Sequence, residues 1–212
     1  MSAKVKICGL TRPEDAELAV ASGAWAIGMV FHPDSPRCVD VDQAAEIATT
    51  HRRRCEVAGV FVNAPLDAVL ATLASVPLTM LQLHGDEGPS YCAEAARRTG
   101  LKVMKAVRVK DGHAVRALSA YPTDFHMLDA HVSGTYGGTG QRFDWELAAE
   151  HSRKPPLVLS GGLTPENVAE ALATARPFAV DVASGVEEAP GRKDRDKLRR
   201  FFEAVEKAAA PA

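Results

Sequence analysis

Short apolar, β-branched runs alternate along the chain with longer segments rich in Ala, Leu, Glu and Arg. The apolar runs predict strands over 4–8, 25–31, 56–62, 78–83, 102–108, 124–129, 156–160 and 178–183. Helical patterns lie near 13–22, 42–52, 65–74, 89–99, 112–120, 144–150, 164–174 and 194–208. Strict strand–helix alternation requires a mostly parallel sheet. Eight such units in 212 residues leave about 26 residues each, which fits a compact (β/α)8 TIM barrel with eight parallel strands. A doubly wound open sheet is the alternative, but it rarely needs eight units. No Gly/Ser-rich or Pro-rich linker divides the chain, so 1–212 reads as a single barrel domain.

Helix-start signals keep the same phase. Thr11-Arg12-Pro13-Glu14-Asp15 offers an N-cap Thr, an early Pro and early acids. Thr164-Pro165-Glu166 repeats that pattern, and Asp144-Trp145-Glu146 opens the helix after the sixth strand. Two connections are long, 32–41 and 130–143, and both come after strand C-terminal ends, where barrel enzymes carry their chemistry. Arg52-Arg53-Arg54 reads as a solvated helix end, 192–200 as an exposed helix face, and 208–212 as a frayed terminus.

Composition narrows the function classes. A 46% hydrophobic, 25% charged chain supports a core and excludes disorder. With 25 Lys+Arg against 27 Asp+Glu, the net charge of −2 gives no electrostatic case for nucleic acid or an anionic membrane. The start lacks the apolar run of a signal peptide, and no segment approaches a membrane span of about 20 apolar residues. Cys8, Cys38, Cys55 and Cys92 form no C-x-x-C pair, so they suit a reducing, cytoplasmic setting and no zinc or redox motif. His spacing provides neither H-E-x-x-H nor H-x3-H, so no metal is expected.

The candidate chemistry sits at strand ends. Cys8 ends the first strand, as a nucleophile or base or as a small buried apolar residue. Asp129 ends the sixth, where a carboxylate after an apolar run must be paired, solvated or functional. His84 ends the fourth, Asp181 lies late in the eighth, and Arg37 lies in the long loop after the second. Period-2 alternation puts Lys6 with Cys8, Gln82 with His84, and Met127 with Asp129 on shared faces. Ser160-Gly161-Gly162 after the seventh strand and Ser184-Gly185 after the eighth suit a phosphate, since barrel phosphate sites are often built there. Tight turns are the plainer reading of the same glycines.

In this order, Lys6-Ile7-Cys8-Gly9-Leu10-Thr11, Ser35-Pro36-Arg37, Leu81-Gln82-Leu83-His84-Gly85, Leu128-Asp129-Ala130, Gly137-Gly138-Thr139-Gly140 with Phe143-Asp144-Trp145, Ser160-Gly161-Gly162-Leu163 and Asp181-Val182-Ala183-Ser184-Gly185-Val186-Glu187 resemble the phosphoribosylanthranilate isomerase family over essentially the whole chain. The resemblance implies a (β/α)8 barrel, the third step of tryptophan biosynthesis and no cofactor. It implies Cys8 as general base, Asp129 as general acid, Arg37 on the anthranilate part, and His84 and Asp181 lining the site. Gly138 joins Gly161, Gly162, Ser184 and Gly185 as phosphate-binding. The expected substrate is a small phosphosugar, N-(5-phosphoribosyl)anthranilate, handled by a monomer or weak homodimer. Two positions depart from the family pattern: Ala183 where Ser is expected and Ser160 where Ala is expected.

An Amadori rearrangement needs one acid and one base, with no metal and no electron sink. Burial would favour a protonated Asp129, while cations or helix dipoles would lower the Cys8 pKa. Lys6, one layer below Cys8, is expected to point inward and find Gln82 or Asp181; a rotated first strand would send Lys4 and Lys6 outward instead. The rival readings are another phosphosugar barrel and a non-catalytic phosphosugar binder. An aldolase wants a Schiff-base Lys at a strand end, and Lys105 precedes its strand's end. The related histidine-pathway isomerase is expected to use two Asp, whereas the first strand here ends in Cys8.

Overall fold

The computed structural model describes residues 3–130, 144–152 and 154–209. Eight parallel strands close into a barrel in chain order. They are β1 (Lys4–Cys8), β2 (Ala26–Val30), β3 (Glu56–Phe61), β4 (Met80–Leu83), β5 (Lys102–Val109), β6 (Phe125–Ala130), β7 (Leu157–Leu159) and β8 (Ala179–Val182). Closure comes from β1 pairing with β8, with Lys6 opposite Asp181. Around it lie α1 (Pro13–Ala21), α2 (Val41–His51), α3 (Leu66–Ser75), α4 (Pro89–Thr99), α5 (Gly112–Ala117), α6 (Val168–Ala175) and α7 (Arg195–Ala209). Each strand is buried on both faces, because one face meets the helices and the other fills the barrel.

The apolar core divides accordingly. A large cluster, including Ile7, Ile27, Leu81, Leu128 and Phe201, packs strands against helices. A small one fills the barrel, from Met80, Met104, Met127 and Val158 down to Trp25, Phe125 and Phe178. Those three rings pack with centroids 5.3–5.7 Å apart and plug the bottom. Strand-borne polar side chains above this plug therefore point toward the open C-terminal end. Lys105 belongs to the outer face: it pairs with Glu87 at 2.7 Å and lies away from the barrel interior.

Several local expectations need correction. Thr11 does not cap α1; Arg12 stands at the N-cap without a side-chain capping bond, and the Thr11 hydroxyl donates to the Gly191 carbonyl at 2.8 Å. α6 starts at Val168, because Thr164–Asn167 forms a turn closed by the Thr164 amide donating to Asn167 Oδ1 at 2.8 Å. Asp144 does act as a cap, accepting from the Glu146 amide, but the segment it caps, Trp145–Glu150, is a 3-10 helix. Residues Leu118–Ala120 are likewise 3-10. Arg192–Lys193 is not part of an exposed helix: it forms β10, antiparallel to β9 (Glu187–Ala189), and Lys193 is buried. The Pro190-Gly191 pair, a turn signal with Gly191 at φ 79°, joins β9 to β10, and Asp194, whose carboxylate accepts from the Lys197 amide at 2.8 Å, stands between β10 and α7. At the C-terminus Ala208 and Ala209 are helical. Among the described residues no helix is long and apolar enough to cross a membrane.

Candidate active site

The strand ends build one open cavity at the C-terminal mouth of the barrel. Cys8, Arg37, His84, Asp129 and Asp181 all line it, and so do Gly161, Gly162 and Ser184. Gly185 stands directly behind Ser184, packed so closely on the Leu163 carbonyl that a Cβ has no room. Gly138 lies outside the described residues. Among the described residues no group of three His, Cys, Asp or Glu is placed to hold a metal ion.

Beneath Cys8 the barrel is charged. Lys6 is fully buried, and its Nζ donates to Asp181 Oδ1 at 2.7 Å. The rotated-strand alternative is therefore wrong, and of the two expected partners Asp181 is the one engaged. The Ser160 hydroxyl donates to Asp181 Oδ2 at 3.1 Å, which gives the departure at position 160 a structural role. Room for this arrangement comes from Gly28, opposite Cys8 on β2. A Cβ there would lie 2.8 Å from Lys6 Nζ and 2.9 Å from Cys8 Sγ. Burial alone would lower the Lys6 pKa, but Asp181 and Cys8 together raise it. For Cys8 the order of effects reverses the expectation: burial raises the thiol pKa, and Lys6 and Lys193 offset this only in part.

Across the barrel Asp129 is held at both oxygens. His84 Nε2 lies 3.0 Å from Oδ2, and the Ala130 amide donates to Oδ1 at 2.9 Å. The Gln82 amide nitrogen faces His84 Nδ1 at 3.0 Å and Met127 Sδ at 3.4 Å. β6 and β1 are separated around the ring by β7 and β8, so Asp129 and Cys8 face the cavity from well-separated walls.

The glycine loops after β7 and β8 form its third wall. Gly161 and Gly162 have φ of 91° and 64°, conformations that favour glycine. Among the described residues the amides of Gly162, Ser184 and Gly185 donate to no acceptor. Such free N–H groups suit an anion.

Arg37 is buried in the long loop after β2, and its guanidinium meets Glu187 through Nε (2.9 and 3.1 Å) and Nη2 (2.6 Å). Sequence reasoning missed Glu187 and Lys193 as site residues. Lys193 Nζ donates to Glu187 Oε1 at 2.9 Å, to the Cys8 carbonyl at 2.6 Å and to the Ala183 carbonyl at 3.2 Å. The Pro190-Gly191 turn signal marks the hairpin that carries Lys193 back beside Glu187. Nothing local reveals its partners, which lie on β1 and beyond β8.

Known proteins resemble this chain along nearly its whole length. The family model of N-(5′phosphoribosyl)anthranilate (PRA) isomerase matches residues 5–204. A curated relative from Geobacter sp. (strain M21), N-(5′-phosphoribosyl)anthranilate isomerase, is 48% identical over 204 residues, 96% of this chain and 98% of its own. The crystal structure of phosphoribosyl anthranilate isomerase from Thermus thermophilus superposes with a TM-score of 0.87 at 38% identity, covering 96% of this chain and 98% of that one. Another solved isomerase, TM-score 0.83 and 38% identical over 97% of this chain and 99% of its own, is in complex with reduced 1-(o-carboxyphenylamino)-1-deoxyribulose 5-phosphate.

Proposed function

The chain belongs to the N-(5′-phosphoribosyl)anthranilate isomerase family and is an isomerase of tryptophan biosynthesis, and from that premise we propose that Cys8 and Asp129 run an Amadori rearrangement in this cavity. The carrying observation is their placement: the Cys8 thiol and the Asp129 carboxylate face the same cavity from separate walls. The substrate is N-(5-phosphoribosyl)anthranilate and the product 1-(2-carboxyphenylamino)-1-deoxyribulose 5-phosphate. Its chemical likeness to the compound bound by the solved relative supports this choice.

Asp129 gives a proton to the furanose ring oxygen. The C1′–O bond breaks, and the nitrogen lone pair closes a C1′=N Schiff base. The Cys8 thiolate then takes the proton from C2′. The C2′–H electrons form C1′=C2′, and the C=N pair returns to nitrogen. The resulting enolamine tautomerises to the ketone: the C2′ hydroxyl returns a proton to the Asp129 carboxylate as C2′ becomes the carbonyl, and the Cys8 thiol gives its proton to C1′. Atoms and charge balance with these two groups alone. Arg37 pairs with the anthranilate carboxylate, since a guanidinium suits that geometry. The amides of Gly162, Ser184 and Gly185 hold the phosphate, with Gly161 shaping the turn. Asp181 and His84 act through Lys6 and Asp129 respectively.

The test is turnover of freshly made phosphoribosylanthranilate, followed as loss of anthranilate fluorescence. Turnover is expected. Tight binding of the reduced product analogue without turnover would point to a non-catalytic phosphosugar binder instead.

A further inference from the structure

Arg37 comes to the cavity already occupied. Glu187 takes its Nε–Nη2 edge with three hydrogen bonds of 2.6–3.1 Å. Among the described residues Nη1 has no partner. One edge of the guanidinium, with an N–H from each of Nη1 and Nη2, is therefore left, and Arg37 lines the cavity while Glu187 does not.

Glu187 is itself fixed. It starts β9, and Lys193 stands opposite it on β10. Lys193 Nζ spends its three N–H groups on Glu187 Oε1, the Cys8 carbonyl and the Ala183 carbonyl. The Gly191 amide adds a contact to Oε1 at 3.3 Å. Gly9, at φ 75°, has no side chain to displace Arg37: a Cβ there would meet Arg37 Cδ at 2.5 Å. Two cations and one anion leave the trio with one net positive charge, all of it largely shielded from water.

We propose that Glu187 is a positioning residue that locks the guanidinium plane of Arg37, so that its Nη1–Nη2 edge is presented to the substrate carboxylate, with Lys193 anchoring Glu187 to the ends of β1 and β8. This rests on the reading of Arg37 as the carboxylate ligand. Its consequence is counterintuitive. Charge counting alone predicts that removing Glu187 tightens carboxylate binding, because an anion leaves the site. Positioning predicts the opposite, because a free Arg side chain must lose rotamer freedom on binding.

Steady-state kinetics of Arg37→Ala, Glu187→Gln and the double variant decide it. Each is paired with binding of two product analogues, the reduced 2-carboxyphenylamino compound and its counterpart lacking the carboxylate. Glu187→Gln is expected to raise KM about tenfold or more, with kcat within about threefold of wild type. Affinity should fall for the carboxylated analogue alone, and the double variant should be no worse than Arg37→Ala. If Glu187→Gln does not fold, Glu187→Asp keeps the charge, withdraws the carboxylate by one methylene, and carries the same expectations. An unchanged or lowered KM beside a raised KM in Arg37→Ala overturns the proposal alone. So does equal loss of both analogues. An unchanged KM in Arg37→Ala overturns the reading of Arg37 and this proposal with it.

Discussion

His84 Nε2 lies 3.0 Å from Asp129 Oδ2, while the other ring nitrogen faces the amide nitrogen of Gln82, also at 3.0 Å. An amide N–H can only donate, so Nδ1 accepts and the ring proton sits on Nε2, aimed at Asp129. Before Asp129 can give a proton at Oδ2, that oxygen must hold one. His84 Nε2 must then accept, and Nδ1 must carry the ring proton. Gln82 can match this only by turning its amide over, which brings Oε1 to the ring. Oε1 is at present buried without a partner among the described residues.

Gln82→Met should therefore lower kcat by about tenfold with a smaller change in KM, since the Gln82 amide nitrogen is engaged by His84 and Met127. Nitrogen NMR of labelled His should show Nδ1 unprotonated in the free wild-type enzyme. Wild-type kcat in Gln82→Met, or a protonated Nδ1 in the resting state, would dismiss the amide's part in proton transfer.

Cys8→Ala and Asp129→Ala should each reduce kcat by about 10²–10⁴-fold with the fold intact, the usual contribution of a general acid or base. A variant that keeps more than about a tenth of wild-type kcat loses its assigned role. Because burial raises the Cys8 pKa, the thiolate is a smaller fraction at neutral pH than for a free thiol. That fraction grows as pH rises toward the thiol pKa. With a thiolate base, kcat/KM should therefore climb with pH through the alkaline range, about tenfold per unit until the thiol titrates. A profile flat from neutral pH upward would contradict a thiolate base.

Outside the cavity, Glu87 offers a stability test that leaves catalysis alone. It pairs with buried Lys105 at 2.7 Å and accepts from the Asn63 and Gly85 amides at 2.8 and 2.9 Å. Glu87→Ala leaves an uncompensated buried ammonium and two amides without their acceptor. The expected loss is about 3–5 kcal/mol by denaturant unfolding, with KM unchanged in the protein that remains folded. A loss under about 1 kcal/mol would mean that water reaches Lys105.

The barrel was legible because each strand is an apolar run bounded by polar turns, and period-2 alternation then aimed Cys8, His84, Asp129 and Asp181 into one mouth. Those inferences need only local sequence. Glu187 and Lys193 escaped notice because their meaning lies in partners 150 and 185 residues away, Arg37 and the Cys8 carbonyl. Ser160 looked like a neutral change until β8 put Asp181 beside it. The direction of the Cys8 shift was misjudged because charge is visible in sequence and depth of burial is not. Here burial outweighs Lys6.

Lys6 remains the strongest lever on that thiol. Both Lys6 Nζ and Cys8 Sγ lie within 2.9 Å of the point a Gly28 Cβ would occupy, so they share one pocket of the barrel wall. Lys6 lowers the Cys8 pKa against burial, while Asp181 raises it. Lys6→Met keeps much of the side-chain volume and deletes the charge, leaving Asp181 uncompensated. The thiol should then titrate at higher pH than in the wild type, and the alkaline limb of kcat/KM should move with it. Reaction of Cys8 with a thiol reagent across pH measures the first, in a background where Cys38, Cys55 and Cys92 are replaced. Lys6→Met/Asp181→Asn removes both charges. Its thiol should fall between the wild type and Lys6→Met, because the opposing influence of Asp181 is gone as well. A thiol pKa unchanged in Lys6→Met would rule out the electrostatic role of Lys6, even if the variant were less stable.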